Sequence, residues 1–192
     1  AYLFTRAHAD HSGLDELDKF STELTSVVAT AIESRVLLPI LYNLFPTLTR
    51  SRHMCQLFNV LNVHIDAMSN DSVKKNYMQI FKLILQAFKG HDNLKFDESV
   101  QYRQCLLDAF VSLILKLNEK RMRPLFFKVK EFVLDDANTT DIMLSRNVLL
   151  YHLCEKLITK LKSIFIPFLV YVYEAAIEEI KSFVKMFSNE AL

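Results

Sequence analysis

Apolar residues recur along this chain at the spacing of helices, not of strands. Between residues 71 and 89, Val73, Tyr77, Ile80, Phe81, Ile84, Leu85 and Phe88 share one helical face. Lys74, Lys75, Gln79, Lys82, Gln86 and Lys89 take the other. Asn70 or Asp71 is the expected N-cap there, and Gly90 the residue just past the last turn. The window Cys105 to Leu117 is almost continuously apolar, and its polar residues Asp108, Ser112 and Lys116 recur at every fourth position. So narrow a polar stripe predicts a helix covered on most sides, in the middle of a layered stack. Leu150, Leu153, Leu157, Leu161 and Ile164 make another apolar face, and Tyr173, Ala176, Ile177, Ile180, Phe183, Val184 and Phe187 the last. These windows predict about eight helices, at 14–32, 38–48, 53–68, 71–89, 97–118, 123–134, 141–163 and 167–187, joined by polar turns.

Composition removes the competing folds. Among 192 residues there are 2 Gly, 4 Pro and no Trp. Phosphate-cradling loops and dinucleotide folds need several glycines, and hairpin-rich sheets need Gly or Asn at positive φ. The longest charge-free stretch, Val36 to Thr49, spans 14 residues and holds two prolines, whereas a membrane span needs about 20 apolar residues. Charge is nearly balanced, with 23 Lys and Arg against 22 Asp and Glu, so any nucleic-acid footprint must be local. The first residue is Ala and no signal peptide is visible, which reads as a fragment of a longer protein. A mean hydropathy of +0.15 suits a stack with apolar faces exposed at its ends.

The prolines suggest an internal period. Pro39, Pro124 and Pro167 each precede three apolar or aromatic residues, any residue, then an aliphatic one. Pro124 and Pro167 are 43 residues apart and Pro39 and Pro124 are 85 apart, with Lys82 near the midpoint before a similar run. Stacked helix pairs of the HEAT and armadillo kind repeat every 40–47 residues or so, and proline at a first helical position costs no hydrogen bond. Each of the three prolines is therefore expected to open a helix. Cys55, Cys105 and Cys154 are spaced by 50 and 49 residues, off that period. Three cysteines with no CxxC pair argue against a disulfide framework or a zinc site and for a reducing compartment.

Candidate catalytic chemistry is sparse. His8, Asp10 and His11 cluster on one turn as possible metal ligands, with a solvated turn as the plainer reading. His53 with Cys55, and His152 with Cys154, stand two residues apart, so on a helix they point about 200° from each other and do not converge. Asp135-Asp136 and Glu178-Glu179 read as a loop and a solvated face. One segment stands out in charge. From Lys116 to Glu131 there are six Lys or Arg against two Glu, interleaved with Phe126 and Phe127. Lys120, Arg121, Arg123, Lys128 and Lys130 are the candidate contacts for RNA phosphate or for a protein partner. The alternative is an inter-helix turn with solvated charges and an inward-packed phenylalanine pair.

The run Asn118-Glu119-Lys120-Arg121-Met122-Arg123-Pro124-Leu125-Phe126-Phe127-Lys128 resembles the FRPLFFKL segment of the HEAT repeat-containing protein 1 family, also known as U3 small nucleolar RNA-associated protein 10. Leu149 to Leu157 and Lys160 to Phe168 are similar to a further stretch of that family, and Ser34 to Pro39 to its RVLLP segment. Met122 stands where the family usually has Phe, and the tryptophan after RPLFFK is absent, with Phe132 nearby. The likeness is densest over residues 118–168. It implies that residues 1–192 are a single stretch of an all-α solenoid of antiparallel HEAT-like helix pairs, with Pro124, Leu125, Phe126 and Phe127 as structural motif residues. It also implies a non-catalytic scaffold of the small-subunit processome, in nucleolar pre-18S ribosomal RNA processing and ribosomal DNA transcription. Its expected partners are other processome proteins and U3 small nucleolar RNA or pre-ribosomal RNA; no cofactor, membrane or small-molecule substrate is expected. The alternative is an unrelated helical-repeat adaptor that binds peptides in transport or signalling.

Overall fold

A computed structural model describes the backbone of residues 11–90, 92, 96–134 and 140–190. Side chains are described throughout these segments except at 11–18, 21, 96–99, 134, 140, 175, 179, 182–183 and 185–190. Eight α-helices follow in order: α1 His11–Ala31, α2 Ser34–Leu44, α3 Ser51–Ala67, α4 Asn70–Gly90, α5 Phe96–Leu115, α6 Glu119–Leu134, α7 Thr140–Leu161 and α8 Ile166–Glu190. Short 3-10 turns extend α2 and α7, and no strand occurs among the described residues.

The helices form two layers. α1, α3, α5 and α7 pack in sequence in one layer, and α2, α4 and α6 in the other; α8 meets α6 through ring contacts. The first layer repeats regularly. α1, α3, α5 and α7 begin at residues 11, 51, 96 and 140, intervals of 40, 45 and 44, which is the period of a stacked helix-pair array. The chain has an all-α helical repeat fold.

α5 is the middle of the stack. Tyr102, Leu106, Phe110 and Leu113 are fully buried. Its half-exposed polar stripe, with Lys116 just beyond its end, makes contacts to neighbouring helices. Lys156 of α7 pairs with Asp108 at 2.5 Å. Lys116 donates to the carbonyls of Asp66 and Met68 at 2.6 and 2.7 Å, satisfying acceptors at the end of α3. The Tyr102 hydroxyl donates to the carbonyl of Ala87 at 3.0 Å. His64 closes the first corner: its Nδ1–H donates to the Ala29 carbonyl at 2.6 Å, and its Nε2 shares a hydrogen bond with the Ser34 hydroxyl at 2.9 Å. A carbonyl can only accept, so Nδ1 carries a proton there.

Several local expectations are corrected. Of these three prolines only Pro167 lies at a helix start; Pro39 and Pro124 sit inside α2 and α6, each at the sixth residue. Each removes one helical hydrogen bond, whose acceptor would be the carbonyl of Arg35 or Lys120, both exposed residues. Upstream burial outweighs that loss: Leu37, Leu38 and Met122 are 2%, 3% and 2% exposed. α6 is instead opened by Asn118, whose Oδ1 accepts from the Arg121 N–H at 3.1 Å. α4 is capped by Ser69, whose Oγ accepts from the Ser72 N–H at 3.2 Å, not by Asn70 or Asp71. Gly90 is not a left-handed terminator but the last residue of α4. A Cβ there would lie 3.3 Å from the ring of Phe45, so close approach is what that position needs.

Cys55 and Cys105 are joined as a disulfide between α3 and α5, with Cα atoms 5.4 Å apart, against the expectation of three unpaired thiols. α3 and α5 are neighbours in one layer, and a separation of 50 residues carries one cysteine onto the next helix of that layer. Cys154 is free and buried, and burial pushes its thiol up to about 12. The last apolar face also differs from expectation. Tyr173, Ile180 and Val184 are about two-thirds exposed on α8 rather than packed inward.

Candidate basic interface

α6 carries the charged segment, and its two faces do different work. Leu125, Phe126 and Val129 are buried at 2%, 0% and 0% exposure. The Phe126 ring sits edge-on to Phe165 and Phe168, with centroids 5.3 and 5.5 Å away. Lys120, Arg123, Pro124 and Lys128 are exposed, and Arg121 and Lys130 are half-exposed. The five candidate cations thus surround the solvent face of one helix, and Phe126 fixes that helix against the core.

Phe127 does not follow its neighbour inward. It is half-buried at the seam between α6 and α8, 5.0 Å from the Tyr171 ring in an edge-on arrangement. Arg123 lies 5.9 Å from the Phe127 centroid and Lys130 6.0 Å, while Lys130 is 5.6 Å from the Tyr171 centroid. Aromatic faces attract the cations and hold them beside the rings. On the opposite flank, Arg121 stands 5.8 Å over Tyr77 of α4 and ties α6 to its layer neighbour. The sequence segment from Lys116 to Glu131 missed two partners in this surface: Tyr171, and the exposed lysines of α4. Lys116 belongs to the end of α3 instead.

A second link, this one polar, starts from α7. Arg146 of α7 forks onto Asp92 at 2.7 to 3.2 Å, donates to the Phe132 carbonyl at 3.2 Å and lies 4.3 Å over the Phe132 ring. At 13% and 16% side-chain exposure this pair is largely shielded from water. It is a structural clasp between α6, α7 and the chain after α4.

The other candidates do not converge. His53 and His152 are exposed, whereas Cys55 and Cys154 point into the core. His8 and Asp10 and the side chain of His11 lie outside the described residues, as do Asp135 and Asp136. Among the described residues no group of three or more His, Cys, Asp or Glu is placed to hold a metal ion. No helix of the described residues is long and apolar enough to cross a membrane.

Residues 72–192 match the model of the BP28CT (NUC211) domain. Over 152 residues the chain is 30% identical to HEAT repeat-containing protein 1 of Homo sapiens, covering 77% of this chain and 7% of that protein. The protein of the same name from Macaca fascicularis is also 30% identical over 152 residues, covering 77% of this chain and 15% of that one. The U3 small nucleolar RNA-associated protein 10 of Schizosaccharomyces pombe is 26% identical over 178 residues, or 90% of this chain and 10% of that protein. The chain thus spans a small part of the length of these relatives. No solved structure matches it.

Proposed function

The chain belongs to the BP28CT (NUC211) domain family, and from that membership we propose that it is a non-catalytic scaffold of the small-subunit processome. It acts in the nucleolus, in pre-18S ribosomal RNA processing, ribosome biogenesis and ribosomal DNA transcription. The observation that carries this reading is the family match over residues 72–192, joined to a relative named for its association with U3 small nucleolar RNA. The fold agrees with it. A stack whose helix pairs contact mainly their neighbours offers long surfaces for partners. The α6 cations Lys120, Arg121, Arg123, Lys128 and Lys130 are the contact face, toward RNA phosphate or toward other processome proteins. Phosphate contacts of this kind position a complex without reading sequence. The family match weighs against an unrelated transport or signalling adaptor.

Imaging of a tagged full-length protein, with precipitation of its bound RNA, tests the reading. Nucleolar signal and recovery of U3 small nucleolar RNA are expected. Cytoplasmic signal without that RNA would contradict it.

A further inference from the structure

Charge in this molecule is sorted by helix. α4 and α6 together carry nine Lys or Arg and three Asp or Glu, a net +6, in a chain whose overall charge is +1. The rest of the chain is therefore net acidic. Lys75, Lys82 and Lys89 recur every seventh residue and are all exposed, so they form one row along the solvent face of α4. That row runs about 21 Å. α6 lies alongside it, joined through Arg121 and Tyr77, and adds Lys120 and Lys128. Of the nine cations, only Lys74 forms an ion pair with another described residue, Asp71. Asp71 and Glu119 stand in the first turns of their helices, where the helix dipole favours an acid. What remains is a strip of cations across two neighbouring helices, in which the exposed Glu131, one turn from Lys128, is the one acid outside a first turn.

The edge of the strip is aromatic. Tyr171 is 39% exposed, is braced edge-on by Phe127 and has the Lys130 ammonium 5.6 Å from its centroid. We propose that the exposed face of α4 and α6, with Tyr171 at its edge, binds a single strand of RNA. The cations take the phosphates, and Tyr171 stacks on one unpaired base. A duplex keeps its base faces inside, so it gains only the phosphate contacts; an unpaired base gains the ring as well. An acidic protein surface would use the cations but gain nothing from the half-exposed ring. The proposal deepens the contact reading of α6 given above and rests on it, replacing an undefined partner with one chemical class and adding Lys75, Lys82, Lys89 and Tyr171 to the surface.

Fluorescence anisotropy of the full chain with a labelled oligouridylate tests it, with an RNA duplex of equal length and a polyglutamate peptide as competitors. The oligouridylate is expected to bind with an affinity that falls as salt rises. Lys82→Gln with Lys128→Gln should reduce the slope of log affinity against log salt by about 1.4, near 0.7 per lost phosphate contact. Tyr171→Leu should weaken binding about tenfold with the slope unchanged, the lower range for one stacked base. Tyr171→Trp should retain binding and, as the sole Trp of the chain, lose fluorescence when the RNA base stacks on it; an indole signal unchanged at saturating RNA overturns the proposal even if the leucine variant unfolds. Absence of binding, a duplex that competes as well as the single strand, polyglutamate that displaces the RNA, or indifference to Tyr171→Leu in a folded protein each overturns the proposal. If RNA affinity is absent while nucleolar U3 association persists, only this proposal fails; if both are absent, the processome reading fails with it.

Discussion

Phe126→Ala should detach α8 from α6 and cost more than any other single change in the RPLFFK run. Phe126 is fully buried, and three rings lie against it: Phe165 at 5.3 Å, Phe168 at 5.5 Å and Phe127 at 5.9 Å, all near-perpendicular. Truncating a buried phenylalanine costs about 3–5 kcal/mol, from lost transfer energy and the cavity left behind. Edge-to-face pairs add about 0.5–1.5 kcal/mol each. Three such pairs put Phe126 in the upper part of the range, about 4–5 kcal/mol. Phe127 is half-buried, with Arg123 and Lys130 beside its ring, and should lose about half as much. Urea unfolding followed by circular dichroism measures both. With a slope of roughly 2–3 kcal/mol per molar, the Phe126→Ala midpoint should fall by about 1.5–2 M. A midpoint that does not move, or one that Phe127→Ala lowers further, would refute the packing argument.

Arg146→Met should destabilise by about 3 kcal/mol, because it leaves the Asp92 carboxylate shielded from water without its cation; Asp92→Asn should cost less in the same urea titration. His64→Ala should cost about 2 kcal/mol by stranding the Ala29 carbonyl and the Ser34 hydroxyl, and His64→Phe should not recover it. Thiol titration of the denatured, unreduced protein should count one thiol, Cys154, rather than three. Reduction should then lower stability by up to about 4 kcal/mol, the loop-closure value for a separation of 50 residues. Alkaline stability follows from Cys154, whose thiol ionises near 9 when unfolded and is held up to about 12 by burial. Above pH 9 the unfolded chain binds fewer protons than the folded one, so the stabilisation present below pH 9 is lost progressively up to about pH 12. Melting temperatures across that window should fall less steeply in Cys154→Ala than in the parent chain.

Periodicity made the helices and their inward faces legible in the sequence. Val73, Ile80, Ile84 and Phe88 are buried where the helical spacing puts them, because a 3.6-residue stripe has only one way to face a core. The narrow polar stripe of α5 located it in mid-stack for the same reason. The misreadings have a common origin in contacts between helices distant in sequence. Pro39 and Pro124 were legible as helix signals but not in their position, since the burial of Leu37, Leu38 and Met122 decides where each helix begins. Gly90 carries no local sign that Phe45 lies against it. The Cys55–Cys105 link depends on which helices are layer neighbours. In the interface, the α6 cations were visible as a dense run. The α4 lysines appeared only as the polar side of an amphipathic helix, and their place beside α6 comes from the stacking. Tyr171 sits 44 residues beyond Phe127, so no local pattern links the two rings.

The most direct test of the scaffold reading is gradient sedimentation of the tagged full-length protein, with and without charge reversal at Arg123→Glu and Lys128→Glu. The parent protein should travel with large particles that contain pre-18S ribosomal RNA, and the variant should shift toward the light fractions while keeping its melting temperature. A folded variant that stays in the large particles would contradict the α6 face as the contact surface. A parent protein found only in the light fractions would contradict the scaffold role itself.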